Sequence, residues 1–148
     1  MLYTFNIIEQ LDVVEIKEAM DTMTGRPPLR WDAGASSELP ERGRLVVEAG
    51  GISVGIFRVD GGLRAYENRC AHAGGPVCQG LMVPRVVELL DDRRAIVGSA
   101  FDETDLHIAC PWHGAEFSLH TGAHAGRADL RLRPVAVEEA GGRIYVIV

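Results

Sequence analysis

The stretch Arg44-Leu45-Val46-Val47-Glu48-Ala49-Gly50-Gly51-Ile52-Ser53-Val54-Gly55-Ile56-Phe57-Arg58-Val59-Asp60-Gly61-Gly62-Leu63-Arg64-Ala65-Tyr66-Glu67-Asn68 decides the fold class. It holds three runs rich in β-branched and aromatic residues, Leu45 to Ala49, Ile52 to Val59 and Leu63 to Asn68. Gly50-Gly51 and Asp60-Gly61-Gly62, which separate them, are strong hairpin turn signals. The same grammar returns near the end of the chain. Ala115 to Leu119 runs into Thr121-Gly122, Leu130 to Val137 precedes Gly141-Gly142, and Arg143 to Val148 reads as a closing strand. Many short strands with glycine turns predict a mainly β fold, a small antiparallel barrel or sandwich.

Between these strand runs lie two short boxes that carry chemistry. Cys70-Ala71-His72 and Cys110-Pro111-Trp112-His113 each set a thiol beside an imidazole, and each is followed closely by glycine. Gly74, Gly75 and Pro76 after the first box, and Pro111 and Gly114 in the second, let the backbone wrap closely and hold a sharp loop in one shape. Two Cys and two His in tight loops form the ligand set of a metal centre. A structural zinc site uses the same four donors. The usual zinc finger pairs C-x2-4-C with H-x3-5-H, a pattern that these four residues do not make. His120 and His124 have the H-x3-H spacing, but no cysteine pair precedes them.

With C-x-H-A-G-G-P in the first box and C-x-x-H-G in the second, the sequence from Arg44 to Val148 resembles the Rieske iron-sulfur family. The resemblance implies a [2Fe-2S] cluster, with Cys70 and Cys110 on one iron and His72 and His113 on the other. It also implies that the two loops cap one end of the β fold, with the outer ring nitrogens facing solvent. Trp112, Pro76, Val77 and Leu81 would then form a mostly apolar rim, and Pro134 would sit in a third loop over the cluster. High-potential members join their loops by a disulfide, but Gly75 and Trp112 occupy the matching positions here. Those members also place hydroxyl donors where this chain has Ala115 and Phe117. Fewer donors leave more electron density on the cluster, so a potential near the lower end of the Rieske range, roughly −150 mV, is expected. Cys78, the odd cysteine, reads as a small free thiol tucked beneath the first loop.

The boxes lie 37 residues apart, Ala73 to Ala109, more than the family usually leaves. The segment Leu81 to His107 reads as an insertion. Val86 to Leu90 and Arg93 to Val97 flank Asp91-Asp92 as a hairpin, and Phe101 to Ile108 is expected to hold a helical turn. The insertion carries three arginines against six acids, so an acidic collar near the cluster that steers a basic partner is one reading and a merely solvated hairpin the other.

Ahead of this unit, residues 1–43 read as an N-terminal extension. Val13, Ile16, Met20 and Met23 fall on one face of a helix predicted over 12–24, and Gly25 with Pro27-Pro28 stops it. Gly25 to Arg42 reads as a linker or wrapping arm anchored by Trp31.

The 148 residues carry a net charge of −6 and are 47% hydrophobic, enough for one ordinary core. The acidic balance and the lack of a basic stripe argue against nucleic acid as a partner. No apolar run approaches a membrane span, and Met1 to Asn6 lacks the basic start of a signal peptide, so a cytoplasmic protein is expected. The resemblance implies a carrier of single electrons, not itself an enzyme, relaying them from a flavoprotein reductase to a terminal oxygenase or other redox enzyme. The other readings are a non-catalytic Rieske subunit of a larger oxidoreductase and a structural zinc protein.

Overall fold

The computed structural model describes residues 28–148, and the helix predicted over 12–24 lies outside them. At its centre is the sheet read first from the sequence, with strands β2, Arg44–Ala49, and β3, Ile52–Val59, followed by β4, Gly62–Glu67. Both connections are two-residue turns in which both residues have positive φ, Gly50 and Gly51 in one, Asp60 and Gly61 in the other. That conformation matches the twist of the flanking strands and suits glycine and aspartate. The Glu41 carboxylate secures the second turn by accepting from the amides of Asp60, at 2.6 Å, and Gly61, at 2.9 Å.

β3 is covered on both faces, which explains why Val54 to Phe57 is an unbroken buried run instead of an alternating one. Val54 and Ile56 face one core with Ala49, Ala65, Ile144 and Val146. Phe57 and Val59 face the other, with Tyr66, Leu106, Ile108, Phe117 and Leu132. The first core lies toward a second antiparallel sheet in the order β1, Arg30–Ala35, then β9, Arg143–Ile147, then β8, Ala136–Ala140. The second lies toward a third sheet of β5, Leu81–Leu90, β6, Ile96–Ala109, and β7, Glu116–Ser118. The fold is mainly β, as expected, with three antiparallel sheets stacked around two cores.

Three local expectations are corrected. Arg30–Ala35 is a strand rather than a linker, pairing with β9 from Arg30 opposite Ile147 to Ala35 opposite Arg143. Trp31, expected to anchor an arm, is a residue of this strand, lies opposite Val146 and is 38% exposed. The helical turn expected over Phe101 to Ile108 is the inner half of β6. There β6 pairs with β5 at Phe101 and Asp102 and again from Leu106 to Ala109, and with β7 from His107 to Ala109, so ladders rather than a helical turn take up these backbone groups. The continuous strand expected over Leu130 to Val137 is broken. Ala123 bridges Arg131, Tyr66 bridges Pro134, and β8 begins only at Ala136. Pro134 has no amide hydrogen to give a ladder, so regular pairing starts beyond it.

The insertion forms a long β5–β6 ribbon whose turn falls at Asp91, as expected, but whose strands run much further toward the body, back to Leu81 and on to Ala109. Its inner end belongs to the body, with Leu106 and Ile108 buried and Met82 packed against them. Its outer end stands away, leaving Val86, Leu89, Leu90, Ile96, Val97 and Phe101 exposed. Among the described residues no helix is long and apolar enough to cross a membrane.

Candidate metal centre

The two boxes fold into turns of the same construction. In the first, the Cys70 amide donates to the Gly75 carbonyl at 2.7 Å and the Gly74 amide to the Cys70 carbonyl at 2.8 Å. In the second, the Cys110 amide donates to Ala115 and the Gly114 amide to Cys110, both at 2.8 Å. Gly74 and Gly114 hold the same place in each turn with φ of +79° and +72°, a region where a side chain is strained. The first turn follows β4; the second joins β6 to β7. Backbone pairing within three different strands therefore fixes where the turns meet.

Cys70 and Cys110 are each 3% exposed, and the Cys110 thiol is one of the groups that raise the Cys70 pKa. Burial pushes the Cys70 thiol above its ordinary pKa, and the amides of His72 and Ala73, which donate to its sulfur, work in the opposite direction. His72 and His113 lie outside them, exposed, with ring centroids 5.3 Å apart and planes 80° apart. The four predicted residues thus converge as an inner pair of sulfurs and an outer pair of imidazoles. Among the described residues no three His, Cys, Asp or Glu side chains gather to hold a single ion. One buried pair of thiols and one exposed pair of imidazoles suit a two-iron group, one pair to each iron.

The loops are pressed together at Gly75, where a Cβ would come within 2.7 Å of the Trp112 ring and 3.0 Å of Cys110 Sγ. A glycine and an indole thus meet at the positions where high-potential members carry a disulfide, and all three cysteines are free thiols. The first loop is held from beneath. Asn68 Oδ1 accepts from the Cys78 amide at 2.9 Å, and Arg44 Nη1 donates to the carbonyls of Cys78, at 3.1 Å, and Gly80. Cys78 is fully buried, its thiol pushed up to about 12 by burial, as a structural thiol should be. Trp112 and Leu81 are exposed on the rim as expected, 59% and 68%, and Pro76 is half-buried. Val77 is not on the rim: it is fully buried in the core below.

Some neighbours were not legible in the sequence. His107 is buried at the base of the second loop, its Nδ1 2.8 Å from Glu116 Oε1. Its Nε2 lies 3.0 Å from Asp105 Oδ2 without the alignment of a hydrogen bond. The ring ties β6 to the first residue of β7 under the loop. His124 packs edge-on against Phe117 and accepts the amides of Gly126 and Arg127 at Nδ1, a structural role. The third segment reaches the first loop through Arg131 and Arg133 rather than Pro134. These two line a cleft of about 510 Å³ with Glu67, Arg69 and the first loop from Cys70 to Gly74.

A Rieske [2Fe-2S] domain model matches residues 30–133. The chain is 27% identical to the 3-phenylpropionate/cinnamic acid dioxygenase ferredoxin subunit of Photorhabdus laumondii over 75% of its own length and 87% of that protein. Its fold matches a putative NADH-dependent nitrite reductase small subunit from Mycobacterium tuberculosis, with TM-score 0.61 and 17% identity, covering 83% of this chain and 97% of that one. It also matches the ferredoxin of carbazole 1,9a-dioxygenase from Nocardioides aromaticivorans IC177, with TM-score 0.54 and 22% identity, covering 80% and 95%. The chain belongs to the Rieske [2Fe-2S] domain family. Its cofactor is a Rieske-type [2Fe-2S] cluster, for which the paired thiols and paired imidazoles are the appropriate donor set.

Proposed function

We propose that the chain is a one-electron carrier in which Cys70 and Cys110 hold one iron and His72 and His113 the other. The observation that carries this reading is the pair of exposed imidazoles over a pair of buried thiols. When bound, the cluster supplies a one-electron couple whose potential depends on its ligands and on hydrogen bonds to its sulfurs. The protein's part is placement. Buried Cys70 and Cys110 keep water from the sulfur side, and the His72 and Ala73 amides direct hydrogen bonds at Cys70. His72 and His113 are exposed, so a partner that touches them would meet the ligands of the second iron directly. Trp112 and Leu81 offer a small apolar rim, suited to the brief contacts that electron-transfer proteins make.

The partners that accord with this reading are a flavoprotein reductase as donor and a terminal oxygenase as acceptor. Two similar proteins are named as ferredoxin components of dioxygenases. A second reading, a subunit of a larger reductase, draws on the likeness to a nitrite reductase small subunit and on the exposed apolar ribbon. Anaerobic purification with metal analysis, electron paramagnetic resonance of the reduced protein and a potential measurement test the carrier. Iron, a Rieske-type signal and a potential near roughly −150 mV are expected, since Ala115 and Phe117 offer no hydroxyl to the cluster. Cys70→Ser and Cys110→Ser should each abolish the cluster. Zinc in place of iron, or an intact cluster in either variant, would refute the ligand assignment, and stable co-elution with an oxidoreductase would favour the subunit.

A further inference from the structure

The chain as a whole is acidic, with a net charge of −6, yet the surface beside His72 is basic. Arg69, Arg131 and Arg133 line the cleft next to the first loop, against a single carboxylate, Glu67. The strand-like alternation of the third segment explains the pairing: Leu132 is buried, and Arg131 and Arg133 on either side of it are exposed. Glu67 is 3.6 Å from Arg133 and leaves the other two guanidinium groups uncompensated. Arg131 donates to the Thr121 carbonyl, and neither it nor Arg69 has a carboxylate partner among the described residues.

None of the insertion's acids lines this cleft: Asp91 and Asp92 share the ribbon tip with Arg93 and Arg94, Glu103 pairs with Arg42, and Asp105 lies 3.8 Å from Arg85. Leu81 pairs with Ala109 at the loop end and Leu90 with Ile96 at the far end. Nine residues of strand at about 3.3 Å each put Asp91 and Asp92 about 30 Å from the second loop. At about 0.1 M salt that is roughly three Debye lengths, so the ribbon tip is screened from His72, whereas Arg69, Arg131 and Arg133 share its cleft.

From this we infer that the cleft beside His72 is a docking site for an acidic surface of a partner protein, one that presents several carboxylates together. The inference rests on the carrier reading for its purpose, though not for its binding test. A carboxylate group seated among Arg69, Arg131 and Arg133 would lay the partner against the exposed His72 ring. This is the reverse of a basic partner steered by an acidic collar.

Fluorescein-labelled octaglutamate, followed by anisotropy against the cluster-loaded protein, tests it. Binding should weaken at least tenfold in R131E/R133E and should fall steeply between 0.02 and 0.2 M salt. The control R93E/R94E makes the same change of charge at the distant ribbon tip and should bind like the parent. Equal weakening in both variants would mean that net charge alone governs binding, and would overturn the site. Competition by free glutamate at equal carboxylate concentration would reveal a small-anion site only, which also overturns it. If R131E/R133E fails to load its cluster, R131Q/R133Q replaces it, with the same direction expected.

A second readout is the oxidation of the reduced protein by ferricyanide, in which one electron passes to each ferricyanide to give ferrocyanide. The cleft predicts a rate that falls as salt rises, whereas the net charge predicts one that rises. A protein that cannot be reversibly reduced by one electron would sink the carrier reading while leaving the peptide result standing.

Discussion

Gly55 and Cys78 are in direct contact: a Cβ at position 55 would lie 2.4 Å from both the Cβ and the Sγ of Cys78. The glycine in β3 is therefore the floor on which the first ligand loop rests. Gly55→Ala should force the loop outward at a cost of about 1–3 kcal/mol. The midpoint for thermal loss of the visible absorption should drop by several degrees; an unchanged midpoint would mean that the loop yields freely.

Cys78 should be chemically silent in the folded protein. With its thiol pushed up to about 12 and no exposure, roughly one molecule in ten thousand would hold a thiolate at pH 8. Iodoacetamide labelling followed by mass spectrometry should find this residue modified only after unfolding. Rapid alkylation in the native state would contradict the packing described for it.

Acid should loosen the outer sheets, which are intact at neutral pH. Asp32 is held below its ordinary value of 3.8 chiefly by the hydrogen bond from Arg143, which joins β1 to β9. Glu139 is held below 4.5 chiefly by the hydrogen bond from Arg58, which joins β8 to β3. A carboxylate with a depressed folded pKa contributes stability above its unfolded value and loses it as pH falls through the folded one. Thermal scans should thus show a decline that opens near pH 4.5 and continues below 3.8. Asp32→Asn and Glu139→Gln together should flatten that decline while leaving the slope above pH 6 unchanged. An acid limb identical to the parent's would assign it to other groups.

The outer ribbon should be removable and the inner ribbon should not. Replacing Val86 to Phe101 by Asn-Gly, so that Arg85 and Asp102 flank a two-residue turn, removes the exposed apolar residues and spares Leu106 and Ile108. The shortened protein should keep its cluster spectrum and its thermal midpoint within a few degrees. Cutting back to Leu81 and His107 instead removes buried Leu106 and should cost about 2–5 kcal/mol. Loss of colour in the shorter cut would give the ribbon a structural duty.

The sequence made some of this architecture legible because its signals are local. Gly50-Gly51, Asp60-Gly61 and Gly141-Gly142 mark hairpins without reference to anything distant, and Cys70, His72, Cys110 and His113 carry their spacing with them. What was missed depends on partners far along the chain. β1 is a strand because β9 is there to pair with it, and its own run of Arg30, Asp32 and Gly34 has little β character. The segment Phe101 to Ile108 was expected to hold a helical turn, yet a ladder with β5 at Phe101 and Asp102 and again from Leu106 took it into a strand. The basic cleft joins Arg69 to Arg131 and Arg133 only after the third segment has crossed β4, so no window of sequence contained it.

The like-built turns at Cys70 and Cys110 have one further implication. Each closes its own backbone over six residues, and besides their contact at Gly75 and Trp112 it is the sheets that hold the two turns side by side. A cluster held by residues of both turns would work as a rivet, and bleaching of the protein would then report the parting of the strands that carry them.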